Sequence, residues 1–516
     1  MPDLTKPKRT RPDQTDSNDR DRTAVAVYIG AVVVLAGLLA IQTWNHAFGS
    51  DVYAHLAVFR ELALHPFDPS NPYVASADPA HYFSPYSVGL GLVGWVTGAA
   101  PITLLYLGAA VNFVLLAIGL WLFPRSFSTH RWTPHLTLLF TLVAWGIGGF
   151  RWSGFLGLNS IGFGLGYPSV FATGVALIAL AGLCRYLRTR NPALLILLGI
   201  AAAVITLTHL FTALWTAIAA VAIVASQPMQ VLRRVVIGLL GASAVAAVLV
   251  LMWPYWSIFS LASGATARSD AHEVLYGNLW LHAFLFIPGF VAIGYRARRN
   301  LRDPLVLMSV AGLTVLVFGY ATNSYGLGRV IPLVALSSHV ALADLTAGWL
   351  MDKETRRSGI AIVAVVGVVG MIGSVQGWTQ MIPRGLVPES TVSRDLYRRS
   401  VTPYQSIESI LATTDVAFAS PWMNRVVPSV TGRVVVPGHL TPLLSDRTER
   451  EEASDAFFDN DRSTAERNAI AAQWGATYIV VEPEDVPSFP WLVRDYRVAA
   501  ESDDYVVFRI GPEGAD

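Results

Sequence analysis

The sequence predicts a polytopic α-helical membrane protein with about eleven transmembrane helices, followed by a small extracytoplasmic α/β domain. Of its 516 residues, 53% are hydrophobic and only 14% are charged, a balance far from that of soluble proteins. Long apolar runs recur up to residue 378, and the stretch 379–516 then changes to an acidic, soluble-type composition. The formal net charge of +1 gives no reason to expect a nucleic-acid partner, and the single cysteine excludes a disulfide framework.

The lengths of the apolar runs predict transmembrane helices, since a helix needs about 20 residues to cross the hydrocarbon core. Residues 1–23 precede them and are polar, contain prolines and lack periodicity, which predicts a disordered cytoplasmic tail. The run 86–100 is Gly-rich and short, which favours a re-entrant or interfacial helix. The predicted spans are 24–43, 102–123, 134–150, 169–184, 192–207, 211–226, 235–253, 281–295, 304–320, 330–350 and 359–377.

The distribution of basic residues supports these spans. With the tail inside, the tail and the cytoplasmic loops hold 20 of the 37 lysines and arginines, whereas the opposite loops before residue 378 hold four. Because cytoplasmic loops carry an excess of Lys and Arg, we expect a cytoplasmic N-terminus. An odd number of spans then places residues 379–516 on the extracytoplasmic side of the plasma membrane.

Residues 379–516 are predicted to form a small soluble α/β domain. The segments 447–459 and 464–475 have helical periodicity, and the second ends at Gly475 as a C-cap. Short stretches rich in β-branched and aromatic residues predict four strands. These stretches read DVAFAS, GRVVVPG, TYIVVE and DYVVFRI.

The first extracytoplasmic loop, residues 44–85, carries many titratable groups directly after the first span. Its sequence predicts an amphipathic interfacial helix that is capped by Ser50 or Asp51 and ends near Leu64, before Pro66. Asp51 could serve only as the helix cap. A carboxylate where a span meets its outer loop is nevertheless costly unless it has a partner or a chemical role. We therefore predict that Asp51 is a general base.

In topology the chain resembles the GT-C superfamily of integral-membrane glycosyltransferases, which use polyprenyl-phosphate sugars and include bacterial mannosyl- and arabinofuranosyltransferases. The resemblance rests on the first span, the acid that opens a long outer loop with a juxtamembrane helix, eleven spans and a C-terminal outer domain. It covers residues 24–378 as the catalytic membrane domain and implies that Asp51 is the catalytic base. Many members have a second acid there, whereas this chain reads SDV, and the Trp-Trp-Asp-type motif of oligosaccharyltransferases is absent.

Two basic residues are candidates for binding the donor phosphate. Arg329 lies at the outer mouth of the tenth span, and its planar guanidinium matches a phosphate through two hydrogen bonds. The resemblance implies the same role, because GT-C members carry an arginine in the corresponding late outer loop. A snorkelling membrane anchor is the alternative. His209, in the outer turn between the fifth and sixth spans, could donate to the same phosphate or be structural.

Five further residues are candidate substrate contacts. His55 is predicted to lie one helical turn from Asp51. His81, Tyr82 and Tyr86 could face the acceptor or could only form a Pro-rich turn. Arg151 opens an outer loop rich in Gly and aromatic residues, which could shape a sugar or lipid groove or could belong to an interfacial belt.

No tight ligand spacing such as His-Glu-x-x-His occurs, so we favour a site without a metal or another cofactor. A divalent metal is the alternative, because the first loop holds side chains of suitable type: Asp51, His55, His65, Asp68 and His81. The sequence thus predicts a membrane-embedded glycosyltransferase, surrounded by lipid, that moves a sugar from a polyprenyl-phosphate donor to a cell-envelope glycan or glycolipid. A transporter or flippase of lipid-linked sugars and a non-catalytic polysaccharide-binding membrane protein are the alternatives. Transporters usually place ionisable groups near the midplane, whereas the carboxylates here gather outside the spans, which favours interfacial chemistry.

Overall fold

The chain folds into a bundle of apolar helices followed by a small domain built on one sheet. The computed structural model describes residues 14–45, 48–49, 51–264, 270–383, 386 and 402–511. The helices before residue 383 are α1 (Gln14–Trp44), α2 (Val52–Leu64), α3 (Pro85–Thr97), α4 (Pro101–Arg125), α5 (Thr133–Val143), α6 (Leu158–Gly164), α7 (Pro168–Thr189), α8 (Ala193–Thr208), α9 (Leu210–Ala225), α10 (Met229–Leu251), α11 (Ile258–Gly264), α12 (Leu279–Ala283), α13 (Ile287–Arg299), α14 (Pro304–Ala321), α15 (Ile331–Met351), α16 (Arg356–Gly373) and α17 (Val375–Trp378).

The bundle is that of a polytopic membrane protein, as predicted. Within the described residues, eight helices are long and apolar enough to cross a membrane, and the shorter apolar helices α8 and α9 coincide with two of the other three predicted spans. Helix α5 ends at Val143 and covers only the first part of the third, 134–150. The count of eleven spans stays a prediction, because helices of 11 to 16 residues rise only about 16–24 Å. The run 86–100 forms most of α3. Helix α1 begins at Gln14, inside the predicted tail, most of which lies outside the described residues.

Helix α15 runs through the centre of the bundle and places Arg329 at one end of it. Fifteen of its 21 residues are buried, and it packs against α5, α13, α14 and α16. A short 3-10 helix, Tyr325–Val330, precedes it, and Pro332 follows at the second position of α15, where a proline disrupts no hydrogen bond. The guanidinium of Arg329 is therefore carried by a rigid, buried element rather than by a loose loop.

Helix α2 has the predicted bounds but a different environment from the one predicted. Eleven of its 13 residues are buried, so it is not an amphipathic helix with a solvated face. Helix α3 covers one side of it, and the C-terminal domain covers another. Even the charged residues Arg60 and Glu61 are buried, because groups of that domain pair with them.

The C-terminal domain contains a five-stranded mixed sheet of order β2-β1-β3-β5-β4. Strands β2, β1 and β3 are parallel, and β5 is antiparallel to β3 and β4. Both predicted helices form, and Gly475 has a φ of +65°, as expected for a C-cap. The elements are β1 (Val416–Ala419), α18 (Met423–Val430), β2 (Arg433–Val434), α19 (Arg447–Phe458), α20 (Thr464–Gln473), β3 (Ala476–Val481), α21 (Trp491–Asp495), β4 (Arg497–Glu501) and β5 (Val506–Arg509).

Polar contacts fasten this domain to the segment that contains α2. Arg433 Nη2 donates to the Glu61 carboxylate at 2.5 Å, and the same carboxylate accepts from the Ser70 N–H and hydroxyl. Arg60 Nη2 donates to the Gly432 carbonyl at 3.0 Å. Because these groups are buried, the contacts resist screening by salt and fix α2 against the domain.

Replacing Arg433 with Ala should lower the free energy of unfolding of the chain by about 3–5 kcal/mol. The reason is that the buried Glu61 carboxylate loses its only ion-pair partner among the described residues. Thermal or denaturant unfolding of the purified chain measures this loss. The control is Arg447→Ala, which removes a more exposed pair with Glu451 and should cost less than about 1 kcal/mol. Equal losses in the two variants would contradict a structural role for the Arg433–Glu61 pair.

Candidate active site

Asp51 stands at the start of α2, and Gly49, two residues before it, is held by hydrogen bonds to its N–H and its carbonyl. The Tyr167 hydroxyl donates to the Gly49 carbonyl at 2.8 Å, and the Gly49 N–H donates to the Phe163 carbonyl at 3.3 Å. A Cβ at position 49 would lie 2.9 Å from the Phe163 ring, so this close approach favours glycine. The Asp51 carboxylate is exposed and makes no capping hydrogen bond to α2. Helix capping therefore does not account for it.

Arg329 is buried in an aromatic setting near one end of the bundle. Its guanidinium carbon lies 5.2 Å from the ring centroids of both Trp152 and Phe211, and 5.8 Å from that of Phe155. Such cation–π contacts stabilise a desolvated guanidinium and hold its plane in place. A snorkelling anchor would extend its charge into water, whereas only 6% of Arg329 is exposed.

His209 lies beside Arg329 and turns its Nε2 towards the guanidinium. It sits at the break between α8 and α9, where its Nδ1 accepts from the Thr212 N–H at 3.2 Å and caps α9. Burial, followed by the charges of Arg329 and His55, lowers the pKa of His209 well below its usual value, so the ring is neutral. With the proton on Nδ1, the ring donates to the Thr212 hydroxyl at 2.8 Å and Nε2 accepts from Arg329 Nη2 at 3.3 Å. With the proton on Nε2, Nδ1 caps α9 and the Nε2–H lies beside the guanidinium, where it can be donated to an anion.

Asp51 and Arg329 share one site although they are far apart in the chain. The negative carboxylate and the positive guanidinium attract each other, and both interact electrostatically with Tyr82. An exposed carboxylate therefore lies within electrostatic range of a buried guanidinium that has an imidazole beside it.

His55, His81 and Tyr82 form an aromatic wall next to Asp51. The ring centroid of Tyr82 lies 5.2 Å from the ring centroid of His55 and 4.1 Å from that of His81. Burial, reinforced by His81, lowers the pKa of His55 to about 3, and burial lowers that of His81 to about 4. Both imidazoles are therefore neutral near pH 7 and can donate or accept one hydrogen bond to a sugar hydroxyl.

Tyr86, a further candidate contact, belongs to the packing of α3. It is buried, its hydroxyl donates to the Gly166 carbonyl at 2.6 Å, and it accepts from Asn112 Nδ2 at 3.3 Å. A Cβ on Gly108 of α4 would collide with this hydroxyl. These contacts give Tyr86 a structural role in joining α3 to α4.

Arg151 is exposed, and it is the next residue, Trp152, that packs on Arg329. The loop that Arg151 opens turns back towards the site through Gly154, which has a φ of +83°. A Cβ at Gly154 would lie 4.0 Å from His209 Cε1, so the loop passes close to that imidazole. This loop therefore borders Arg329 and His209, and a substrate contact of Arg151 itself stays a prediction.

Sequence reasoning missed Tyr73 and His439, which the structure places beside the predicted residues. Tyr73 is buried, its carbonyl accepts from the Val434 N–H of β2 at 2.9 Å, and it interacts electrostatically with Asp51. The His439 ring lies 5.9 Å from the Tyr73 ring. The Asn-Pro-Tyr sequence at 71–73 signals a turn but not its position. His439 carries no local signal, because it arrives through the docking of the C-terminal domain.

The titratable residues of the site are dispersed around its walls. Among the residues that the structure describes, no three or more His, Cys, Asp or Glu side chains are grouped so as to hold a metal ion. The donor set is thus mainly one of neutral imidazoles, phenols and a guanidinium, which is suited to hydrogen bonding and to anions.

No protein-family model matches the chain, and no curated protein matches it in sequence. The crystal structure of the apo oligosaccharyltransferase of Archaeoglobus fulgidus aligns with 90% of this chain and 70% of its own, with a TM-score of 0.53 and 12% identity. The cryo-EM structure of the arabinofuranosyltransferase AftD from mycobacteria aligns with 94% of this chain and 40% of its own, with a TM-score of 0.56 and 15% identity. Both are GT-C glycosyltransferases, so the predicted GT-C fold is confirmed.

Proposed function

We propose that this chain is a membrane glycosyltransferase that moves a sugar from a polyprenyl-phosphate donor to a cell-envelope glycan or glycolipid. The observation that carries the proposal is an exposed carboxylate, Asp51, within electrostatic range of the buried Arg329 guanidinium, beside which His209 Nε2 lies at 3.3 Å. A transferase of this kind needs a base for the acceptor and positive charge for the leaving phosphate.

Each step of the proposed reaction can be assigned to a residue of the site. The acceptor hydroxyl oxygen attacks the anomeric carbon, the bond from that carbon to the phosphate oxygen breaks, and the hydroxyl proton passes to the Asp51 carboxylate. The phosphodiester becomes a phosphate monoester and gains one negative charge. Arg329 and the Nε2–H of His209 stabilise that charge in a largely desolvated setting, where hydrogen bonds from a cation are strong. His55, His81 and Tyr82 line the adjacent wall and bind hydroxyl groups of the reacting sugars.

In this proposal the site opens to the extracytoplasmic face, and the C-terminal domain lies on the same side. The excess of basic residues in the alternate loops supports that orientation. Nucleotide sugars are not normally available on that face, so the donor is a lipid-linked sugar. Arabinofuranosyl and mannosyl groups are the sugars that the family resemblance suggests.

Transfer by the purified chain in lipid nanodiscs tests the proposal. Decaprenyl-phosphate carrying radiolabelled arabinofuranose or mannose is the donor, and a detergent extract of bacterial cell-envelope glycolipids supplies the acceptors. We expect label to pass to the acceptor fraction while decaprenyl phosphate is released. Labelled lipid that crosses the bilayer of proteoliposomes unchanged, with no transfer, would instead identify a flippase.

Chelation should leave the transfer rate unchanged. We propose that no metal takes part, because Arg329 and His209 provide the positive charge and the hydrogen bonds at the phosphate. The rate measured with excess EDTA, and then with added Mg²⁺ or Mn²⁺, checks this. Loss of transfer in EDTA with recovery on adding one of these ions would show that the phosphate is held through a cation.

A further inference from the structure

The loop that follows β2 brings a histidine next to an arginine at the edge of the candidate site. His439 lies on this loop, and Arg425 lies on α18, the helix that packs on α2. The Gly438 N–H donates to the Asn424 carbonyl at 3.3 Å, and a Cβ at Gly438 would come within 2.5 Å of Arg425 Cγ. The loop and the arginine stem are therefore in direct contact.

Both side chains have unused hydrogen-bonding capacity. His439 is only 8% exposed, and its Nε2 is buried without a hydrogen-bond partner among the described residues. Arg425 is half-buried. In the part of the chain that the structure describes, its guanidinium has no ion-pair or hydrogen-bond partner. Buried polar atoms are rarely left unpaired in folded proteins, which points to a ligand group that is not part of the chain.

The charges around this pair favour an anion. Burial, followed by the charges of Arg425 and His55, lowers the pKa of His439 to about 3, so the imidazole is neutral beside the guanidinium cation. An acidic group bound to Arg425 would balance the guanidinium charge and would accept a hydrogen bond from His439 Nε2. Because Arg425 is the more exposed of the two, a ligand meets the guanidinium first, and its planar fork matches a carboxylate or a phosphate.

The pair and Arg329 have different neighbours. The His439 ring is tilted against that of Tyr73, with 5.9 Å between the centroids, and interacts electrostatically with His55, whereas Arg329 is enclosed by Trp152 and Phe211. We propose that Arg425 and His439 form a subsite of the C-terminal domain that binds an acidic group, carboxylate or phosphodiester, of the acceptor. The inference rests on the proposed transfer reaction and adds to it that the acceptor is anionic.

Binding of acidic probes to the full chain in nanodiscs of neutral lipid tests this subsite. The probes are a glucuronic-acid trisaccharide, which offers carboxylates, and short-chain phosphatidylinositol, which offers a phosphodiester. A neutral mannotriose and decaprenyl phosphate are the reference ligands. The variants are Arg425→Gln and His439→Phe, of which the second keeps the ring packing on Tyr73 but removes the nitrogen.

We expect each variant to weaken binding of one or both acidic probes at least about tenfold, while decaprenyl phosphate binds as in the wild type. The probe that responds identifies the acidic group. The matched control is Arg497→Gln, an exposed arginine on β4 at the opposite edge of the sheet, which should change nothing. Melting temperatures of all variants check that the fold is retained.

Three results would overturn the inference. The first is that the wild type binds the acidic probes no more tightly than mannotriose. The second is that Arg425→Gln binds the acidic probes as tightly as the wild type does. In either case, binding of decaprenyl phosphate leaves the proposed function standing. The third is parallel loss of acidic probes and decaprenyl phosphate in both variants, which would show a purely structural role. Absence of decaprenyl-phosphate binding in the wild type would overturn the proposed function together with this subsite.

Discussion

Replacing Asp51 with Asn should reduce sugar transfer about 10²–10⁴-fold, the range expected when a general base is lost. The amide keeps the size of the side chain but cannot take the acceptor proton. Because the carboxylate makes no capping hydrogen bond to α2, the change should leave the helix and the melting temperature intact. The initial rate of label transfer from decaprenyl-phosphate arabinofuranose or mannose measures the effect.

Asp68→Asn is the matched control for this experiment. Asp68 is an exposed carboxylate of the same segment, and nothing in the reaction uses it. It should transfer sugar at the wild-type rate, and decaprenyl phosphate should bind equally well to both variants. Transfer by Asp51→Asn at the wild-type rate would remove Asp51 from the reaction.

Replacing Arg329 with Ala should weaken binding of decaprenyl phosphate about 10–100-fold, since hydrogen bonds to a charged group are worth about 1.5–3 kcal/mol. Arg329→Lys keeps the charge but loses the fork and the stacking on Trp152 and Phe211, so an intermediate affinity is expected. His209→Ala removes a neutral donor and should have a smaller effect. Equilibrium binding of the lipid phosphate to the nanodisc-embedded chain measures all three.

Arg125→Ala controls for the loss of an arginine stacked on an aromatic ring. Arg125 lies 4.8 Å from the centroid of Trp121 at the other end of the bundle, where no donor phosphate is expected. Its removal should leave the affinity for decaprenyl phosphate unchanged. If Arg125→Ala and Arg329→Ala lowered the affinity equally, Arg329 would have only a packing or general electrostatic role.

Much of the helical architecture follows from local sequence. Apolar runs such as 304–320 become helices because an apolar segment in a bilayer satisfies its backbone hydrogen bonds only within itself. The placement of Arg329 beside His209 was also predictable in outline, because both residues interrupt or border apolar helices at the same predicted face. Topology alone is enough to bring such positions to one end of a bundle.

The environment of α2 was not predictable in the same way. Its apolar periodicity indicates a helix with one buried face, but the sequence does not reveal that the C-terminal domain covers Arg60 and Glu61 as well. The same docking places His439 at the site. Contacts between segments so distant in the chain depend on tertiary packing, which helical periodicity and strand propensity do not encode.

A structure of the chain with bound decaprenyl phosphate tests the central claim most directly. The account predicts that the phosphate lies within hydrogen-bond distance of both Arg329 Nη2 and His209 Nε2, on the side facing the Asp51 carboxylate. The polyprenyl chain should then extend into the bilayer. A phosphate bound away from Arg329 and His209, or at the middle of the bundle, would contradict the proposed site and favour a transport function.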